Sequence, residues 1–150
     1  MTAVVQRVRS ASVDCEGKTV SSIERGFLVL LGVTKSDTEV EADLMASKIE
    51  GLRIFTDENG KMNLSLKDVG GGVLVVSNFT LCADCSHGRR PSFFDAQRPN
   101  EARELYEYFI KRLRFYGVEN IGTGVFGGSM QVHIENEGPV TLILDTEDWK

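Results

Sequence analysis

The stretch Gly70-Gly71-Gly72-Val73-Leu74-Val75-Val76-Ser77-Asn78-Phe79-Thr80-Leu81 constrains this chain more than any other. Three glycines allow the backbone to turn sharply. The four apolar residues that follow, three of them β-branched, predict a strand buried on both faces. Polarity then arrives abruptly with Ser77, Asn78 and Thr80 around one phenylalanine. Two readings stand side by side: a rigid strand end presenting polar groups to a pocket, or simply the start of a turn.

The rest of the chain supplies neighbours for that strand. Residues 4–9 have strand character, and residues 11–23 read as a hairpin turning at Glu16-Gly17. Phe27 to Val33 is a second continuous apolar run and a second central strand. Thr38 and Glu41 match a capping box opening a helix whose stripe is Val40, Leu44, Met45, Ile49 and Leu52. Strands at 53–56 and 62–66 flank the turn Asp57-Glu58-Asn59-Gly60. Residues 82–99, with Pro91 and Pro99, lack periodicity and read as a long ordered loop of the functional kind. Asn100 is the expected N-cap of a second helix with the stripe Ala102, Leu105, Tyr106, Phe109, Leu113 and Tyr116, ended by Gly117. Three strands close the chain at 118–125, 130–136 and 140–145, with turns at Gly127-Gly128 and Glu137-Gly138-Pro139. The order βββ-α-ββ-α-βββ predicts an α/β fold: one layered domain over residues 1–150, with mixed β-sheets and two amphipathic helices on one side.

Composition narrows the function classes. Hydrophobic residues at 41% and charged ones at 26% describe an ordinary globular protein and argue against disorder. No apolar run approaches the roughly 20 residues of a membrane span, and the N-terminus lacks a long apolar signal region, so the expected location is cytoplasmic. Three cysteines do not build a disulfide framework. The net charge of −5 argues against wrapping a duplex, yet residues 86–115 hold 7 Lys/Arg against 4 Asp/Glu. That segment, with Arg89-Arg90 and Arg98, either holds one end of an RNA or is a solvated helix face plus loop.

Several chemistries find no support. Cys82-Ala83-Asp84-Cys85 with His87 resembles half a metal site, but its only further thiol or imidazole donors, Cys15 and His133, lie on distant strands, so neither a metal nor another cofactor is expected. The two histidines, His87 and His133, sit in no nucleophile motif. No glycine-rich phosphate loop opens a helix. Gly138-Pro139 reads by itself as a rigid turn.

Four motifs taken together are more specific. Ser77-Asn78-Phe79-Thr80-Leu81, Gly88-Arg89-Arg90-Pro91-Ser92-Phe93, Gly124-Val125-Phe126-Gly127-Gly128-Ser129-Met130 and Asn136-Glu137-Gly138-Pro139-Val140-Thr141 resemble the D-aminoacyl-tRNA deacylases, and the likeness runs from Ala3 to Thr146. The chain departs from the family pattern with Asn78 where glutamine is usual and Gly128 where alanine is usual.

The resemblance implies a hydrolase that cleaves the ester between a D-amino acid, or glycine, and the terminal adenosine of tRNA. It implies a homodimer with active sites at the subunit interface. There Gly138-Pro139, with a cis peptide, would enter the partner's pocket opposite Ser77, Asn78, Phe79 and Thr80, beside Phe126 and Met130, and exclude L-amino acids. Arg89 and Arg90 would contact the tRNA. The backbone N–H groups of Phe79 and Thr80 would stabilise the oxyanion, with Thr80 a positioning residue rather than the nucleophile of an older family reading. Two alternatives are a paralogous deacylase acting on L-alanyl-tRNA, with a trans Gly-Pro, and a non-catalytic nucleic-acid- or protein-binding dimer.

Overall fold

A computed structural model describes residues 1–150. Its spine is β1 (Thr2–Cys15), long enough to serve three partners. Two of them, β2 (Lys18–Ile23) and β3 (Gly26–Gly32), pair antiparallel with its second and first halves. The expected turn at Glu16-Gly17 is present, with both residues at positive φ.

The helix α1 (Glu39–Gly51) opens with the expected capping box: the Thr38 N–H donates to Glu41 Oε2 at 2.7 Å, and Thr38 Oγ1 accepts from the Val40 N–H at 3.2 Å. Its buried face differs from the expected stripe. Ala42, Met45, Ala46 and Ile49 point inward, whereas Val40 and Leu44 are 63% and 43% exposed. Two alanines at i and i+4 allow closer packing than valine and leucine, and the helix turns that face to the core.

A small ribbon follows, β4 (Phe55–Thr56) and β5 (Met62–Leu64), joined by a turn in which the Asp57 carboxylate accepts the N–H groups of Asn59 and Lys61. The strand expected to reach residue 66 stops early because Ser65 and Asp68 form a second capping box opening the single turn α2 (Leu66–Val69). Gly70 ends that turn in the left-handed conformation at φ 63. Then comes β6 (Gly72–Ser77), whose Gly72 lies opposite Gly26. A Cβ on Gly26 would enter the backbone of Gly72, so this crossing of parallel strands requires glycine.

The helix α3 (Pro99–Phe115) begins one residue before the expected cap. Pro99 occupies the first helical position and Arg98 precedes it without a side-chain cap, so Asn100 lies inside the helix. Proline's preset φ and missing N–H favour that position. Ala102, Tyr106, Phe109, Ile110 and Leu113 form the buried face, close to the expected stripe.

The C-terminal third corrects the expected three strands. β7 covers only Ile121–Thr123, and residues 130–145 form one strand, β8 (Met130–Asp145), with no reversal at Glu137-Gly138-Pro139. Both halves of β8 pair antiparallel with β1: Gln6 faces Thr141 and Val8 faces Asn136. The intervening Glu137–Val140 therefore bulge out opposite the single residue Arg7.

The six-stranded sheet runs β2-β1-β3-β6-β7, with β8 beside β1. β6 is parallel to both neighbours and buried along its apolar run, as its composition predicts. α1 and α3 cover one face in a core built on Val5, Phe27, Val29, Val73 and Val75. Leu28, Leu74 and Val76 face a smaller cluster on the other side, where the sheet curls until Ser21 of β2 meets Gly122 of β7. This is the layered α/β domain with a mixed sheet that the element order predicts. No helix is long and apolar enough to cross a membrane.

Candidate active site

The end of β6 leads directly into a cavity. The Asn78 N–H donates to the Leu31 carbonyl at 2.8 Å, carrying the β3–β6 alignment one step beyond the sheet. The backbone then tightens into a single 3-10 turn, Phe79–Cys82, in which the Leu81 N–H returns to the Asn78 carbonyl at 3.3 Å. Phe79 and Thr80 hold the first two positions of that turn, where no earlier carbonyl is in register, and no side chain caps them. Their N–H groups are left as donors. The Thr80 hydroxyl donates to the Asn78 carboxamide oxygen, so the shorter amide of Asn78 is engaged within the turn.

The loop 82–99 forms the facing wall. Asp84 and Ser92 exchange backbone hydrogen bonds of 2.8 and 2.9 Å, and Gln97 and Lys35 tie the loop to the end of β3 through Val33 and Asp95. Phe93 meets Phe79 edge to face at 5.0 Å. The β7–β8 connection closes the third side. There Met130 Sδ accepts the Val125 N–H at 3.3 Å and lies over Gly124, where a Cβ would approach it to 2.7 Å. Phe126 packs against Tyr106 of α3 with centroids 5.7 Å apart.

The resulting cavity of about 810 Å³ is lined by Ser77, Asn78, Phe79, Phe93, Gln97, Arg98, Phe126 and Met130, among others, and most of its lining is apolar. Arg98 is the one charged residue in that lining. Five of the expected site residues, Ser77, Asn78, Phe79, Phe126 and Met130, thus meet around one cavity. Thr80 lies just outside it, and Arg89 and Arg90 are exposed further along the loop. Gly138 and Pro139 do not line the same subunit's cavity; they are exposed on the β8 bulge, joined by a cis peptide. The bulge is held firmly. Arg7 Nε donates to the Glu137 carbonyl at 3.1 Å and Nη1 to the Ile54 carbonyl at 2.8 Å, while Asn136 Nδ2 reaches the carbonyls of Arg7 and Val140.

Neither imidazole serves the β6 end. His87 Nδ1 is 2.8 Å from its neighbour Ser86, and His133 Nε2 is 2.9 Å from Asp14. Cys82 points its thiol at the Val33 carbonyl, and burial pushes its pKa up. Cys85 is exposed, and no three His, Cys, Asp or Glu side chains converge as metal ligands. The sequence marks Arg98 only as part of the basic segment 86–115, and Gln97 not at all. The further signal for both is position, directly before the proline that opens α3 at the cavity wall.

The family model described as "D-Tyr-tRNA(Tyr) deacylase" matches residues 4–145. The chain belongs to that family. Its members are hydrolases acting on ester bonds, and so is this enzyme. A D-aminoacyl-tRNA deacylase of Thermosipho melanesiensis is 54% identical over 147 residues, which cover 98% of each chain. A solved structure described as a c-Myc DNA unwinding element binding protein is 44% identical, with a TM-score of 0.91 over 97% of this chain and 98% of the other. A probable eukaryotic D-amino acid tRNA deacylase shares the fold at 18% identity, with a TM-score of 0.79 over 96% and 99% of the two chains.

Proposed function

We propose that this deacylase hydrolyses the ester linking a D-amino acid to the terminal adenosine of tRNA, accepts glycyl-tRNA, and leaves L-aminoacyl-tRNA intact. The observation that carries the reading is the apolar cavity at the end of β6, bordered by a 3-10 turn whose first N–H groups, on Phe79 and Thr80, have no capping side chain, while the Thr80 hydroxyl is bonded to the Asn78 carboxamide rather than to an imidazole or carboxylate. Such a site favours positioning and oxyanion stabilisation over an activated side-chain nucleophile. Water attacks the ester carbonyl carbon with assistance from the tRNA 2′-hydroxyl. Negative charge develops on the carbonyl oxygen against the two N–H groups. Collapse expels the ribose oxygen, which leaves protonated as tRNA, and releases the free amino acid. Thr80 positions the turn through its bond to Asn78.

In this reading the enzyme works as a cytoplasmic homodimer. Gly138 and Pro139, exposed in one subunit, enter the cavity of the second and exclude an L-side chain sterically and with backbone carbonyls. Arg89 and Arg90 contact the tRNA. The decisive experiment presents D-tyrosyl-, glycyl-, L-tyrosyl- and L-alanyl-tRNA to the purified protein. Release of D-tyrosine and glycine with both L-esters intact is expected. Cleavage of L-alanyl-tRNA alone would favour the paralogous activity.

The 44% identical relative described by DNA binding supports a second role beside hydrolysis, the binding of DNA. Binding of duplex DNA by the purified protein would favour it.

A further inference from the structure

We propose that Phe94, with Lys35 against its ring, is a stacking platform for the nucleotides immediately before the terminal adenosine of the tRNA substrate. The inference rests on the deacylase reading and assigns the surface that receives the single-stranded end of the RNA. Phe94 is 76% exposed, the most exposed phenylalanine of the chain, so it contributes little to the core. It is nonetheless held in place. Its N–H donates to Ser92 Oγ at 3.4 Å, the next residue, Asp95, accepts the Lys35 N–H at 3.0 Å, and Thr34 bridges to Ala96.

Lys35 Nζ lies 3.8 Å from the centroid of the Phe94 ring. That ammonium has no carboxylate partner in the chain. A largely exposed ring with an unpaired cation over one face matches the two chemistries of a nucleotide, a base that stacks on the other face and a phosphate that needs a counter-charge.

Position points the same way. The preceding residue, Phe93, lines the cavity and meets Phe79. A strand whose last nucleoside enters that cavity leaves it past the 93–94 step. Arg98 stands at the cavity wall, and Arg89 and Arg90 continue the positive charge along the same loop. Aromatic stacking tolerates any base, which suits an end that is common to many tRNAs.

The test compares D-tyrosyl-tRNA with D-tyrosyl-adenosine, the same ester without the preceding nucleotides, for the wild type, Phe94→Ala and Phe94→Trp. Phe94→Ala is expected to raise KM for the tRNA about tenfold, the scale of one lost base–aromatic stack, with kcat and cleavage of D-tyrosyl-adenosine unchanged. Phe94→Trp should restore KM. Equal KM values for wild type and Phe94→Ala would overturn the platform, as would an equal loss on both substrates. A Phe94→Ala variant that becomes monomeric in sedimentation would also overturn it, assigning the ring to a contact between copies. A wild type inert towards both substrates would refute the deacylase reading and this inference with it, a result distinct from an active wild type matched by its variant.

Discussion

The Tyr106 hydroxyl donates a 3.0 Å hydrogen bond to the Val75 carbonyl, tying α3 to the strand that ends at Ser77. The same ring supports Phe126 at the cavity wall, so one residue joins the core to two sides of the site. Burial pushes the Tyr106 phenol up to about 12 from its ordinary 10. The folded state prefers the protonated phenol, so this contribution is complete below pH 10 and is lost as pH rises through about 12. Tyr106→Phe is expected to cost about 1 kcal/mol at neutral pH, since Val75 keeps its bond from the Gly124 N–H. Denaturant titrations should show the gap between wild type and variant closing as pH rises above 10, because only the wild type has this phenol to ionise.

At the acid end the informative group is Glu41. The Thr38 hydroxyl, donating at 2.7 Å, leads the interactions that hold its carboxyl down to about 2 from an ordinary 4.5. A depressed carboxylate stabilises the fold above its unfolded value and loses that effect as pH falls through its folded value. Glu41→Gln should therefore be less stable than wild type at pH 7, and the difference should vanish between about pH 4.5 and 2. Thr38→Ala should cost about 1 kcal/mol at pH 7. Thermal unfolding across that range checks both.

Thr80→Ala separates the two roles offered for its hydroxyl. With the backbone donors at Phe79 and Thr80 retained, kcat should fall by less than about tenfold. A loss beyond about a thousandfold with D-tyrosyl-tRNA binding intact would make Thr80 the nucleophile instead.

The β8 bulge offers a specificity test. Arg7→Met removes the donors to the Glu137 and Ile54 carbonyls and should cost roughly 2–4 kcal/mol in urea titrations. Pro139→Ala, in a folded dimer, should reduce discrimination between D- and L-tyrosyl-tRNA by at least about tenfold. Unchanged discrimination would remove the Gly138-Pro139 step from the chirality filter.

Chelation addresses the cysteines. Treatment with EDTA should leave deacylation rates unchanged. Inhibition reversed by Zn²⁺ would return Cys82 and Cys85 to the list of candidate ligands.

Features set by near neighbours were legible from the residues alone. The buried strand Val73–Val76, the Thr38–Glu41 cap, the inward face of α3, the irregular loop 82–99 and the family motifs all depend on groups a few positions apart. The Ser65–Asp68 cap is equally local and was visible in principle, though an alternating run through Leu66 masked it. Which side of α1 faces inward was not legible, because the space available to Ala42 and Ala46 is set by the sheet and α3.

The stretch from Gly70 to Leu81 determined by its own chemistry that a buried strand ends in polar groups. Only the tertiary structure decided what those groups meet. It placed Phe93, Gln97 and Arg98 from the loop, and Phe126 and Met130 from beyond β7, around one cavity. It also turned the expected hairpin at Glu137-Gly138-Pro139 into a bulge within β8. The reason is physical. A strand's periodicity is written in adjacent residues, but pairing partners such as Gln6 and Thr141, or Val8 and Asn136, lie more than a hundred residues apart, and no local signal specifies their register.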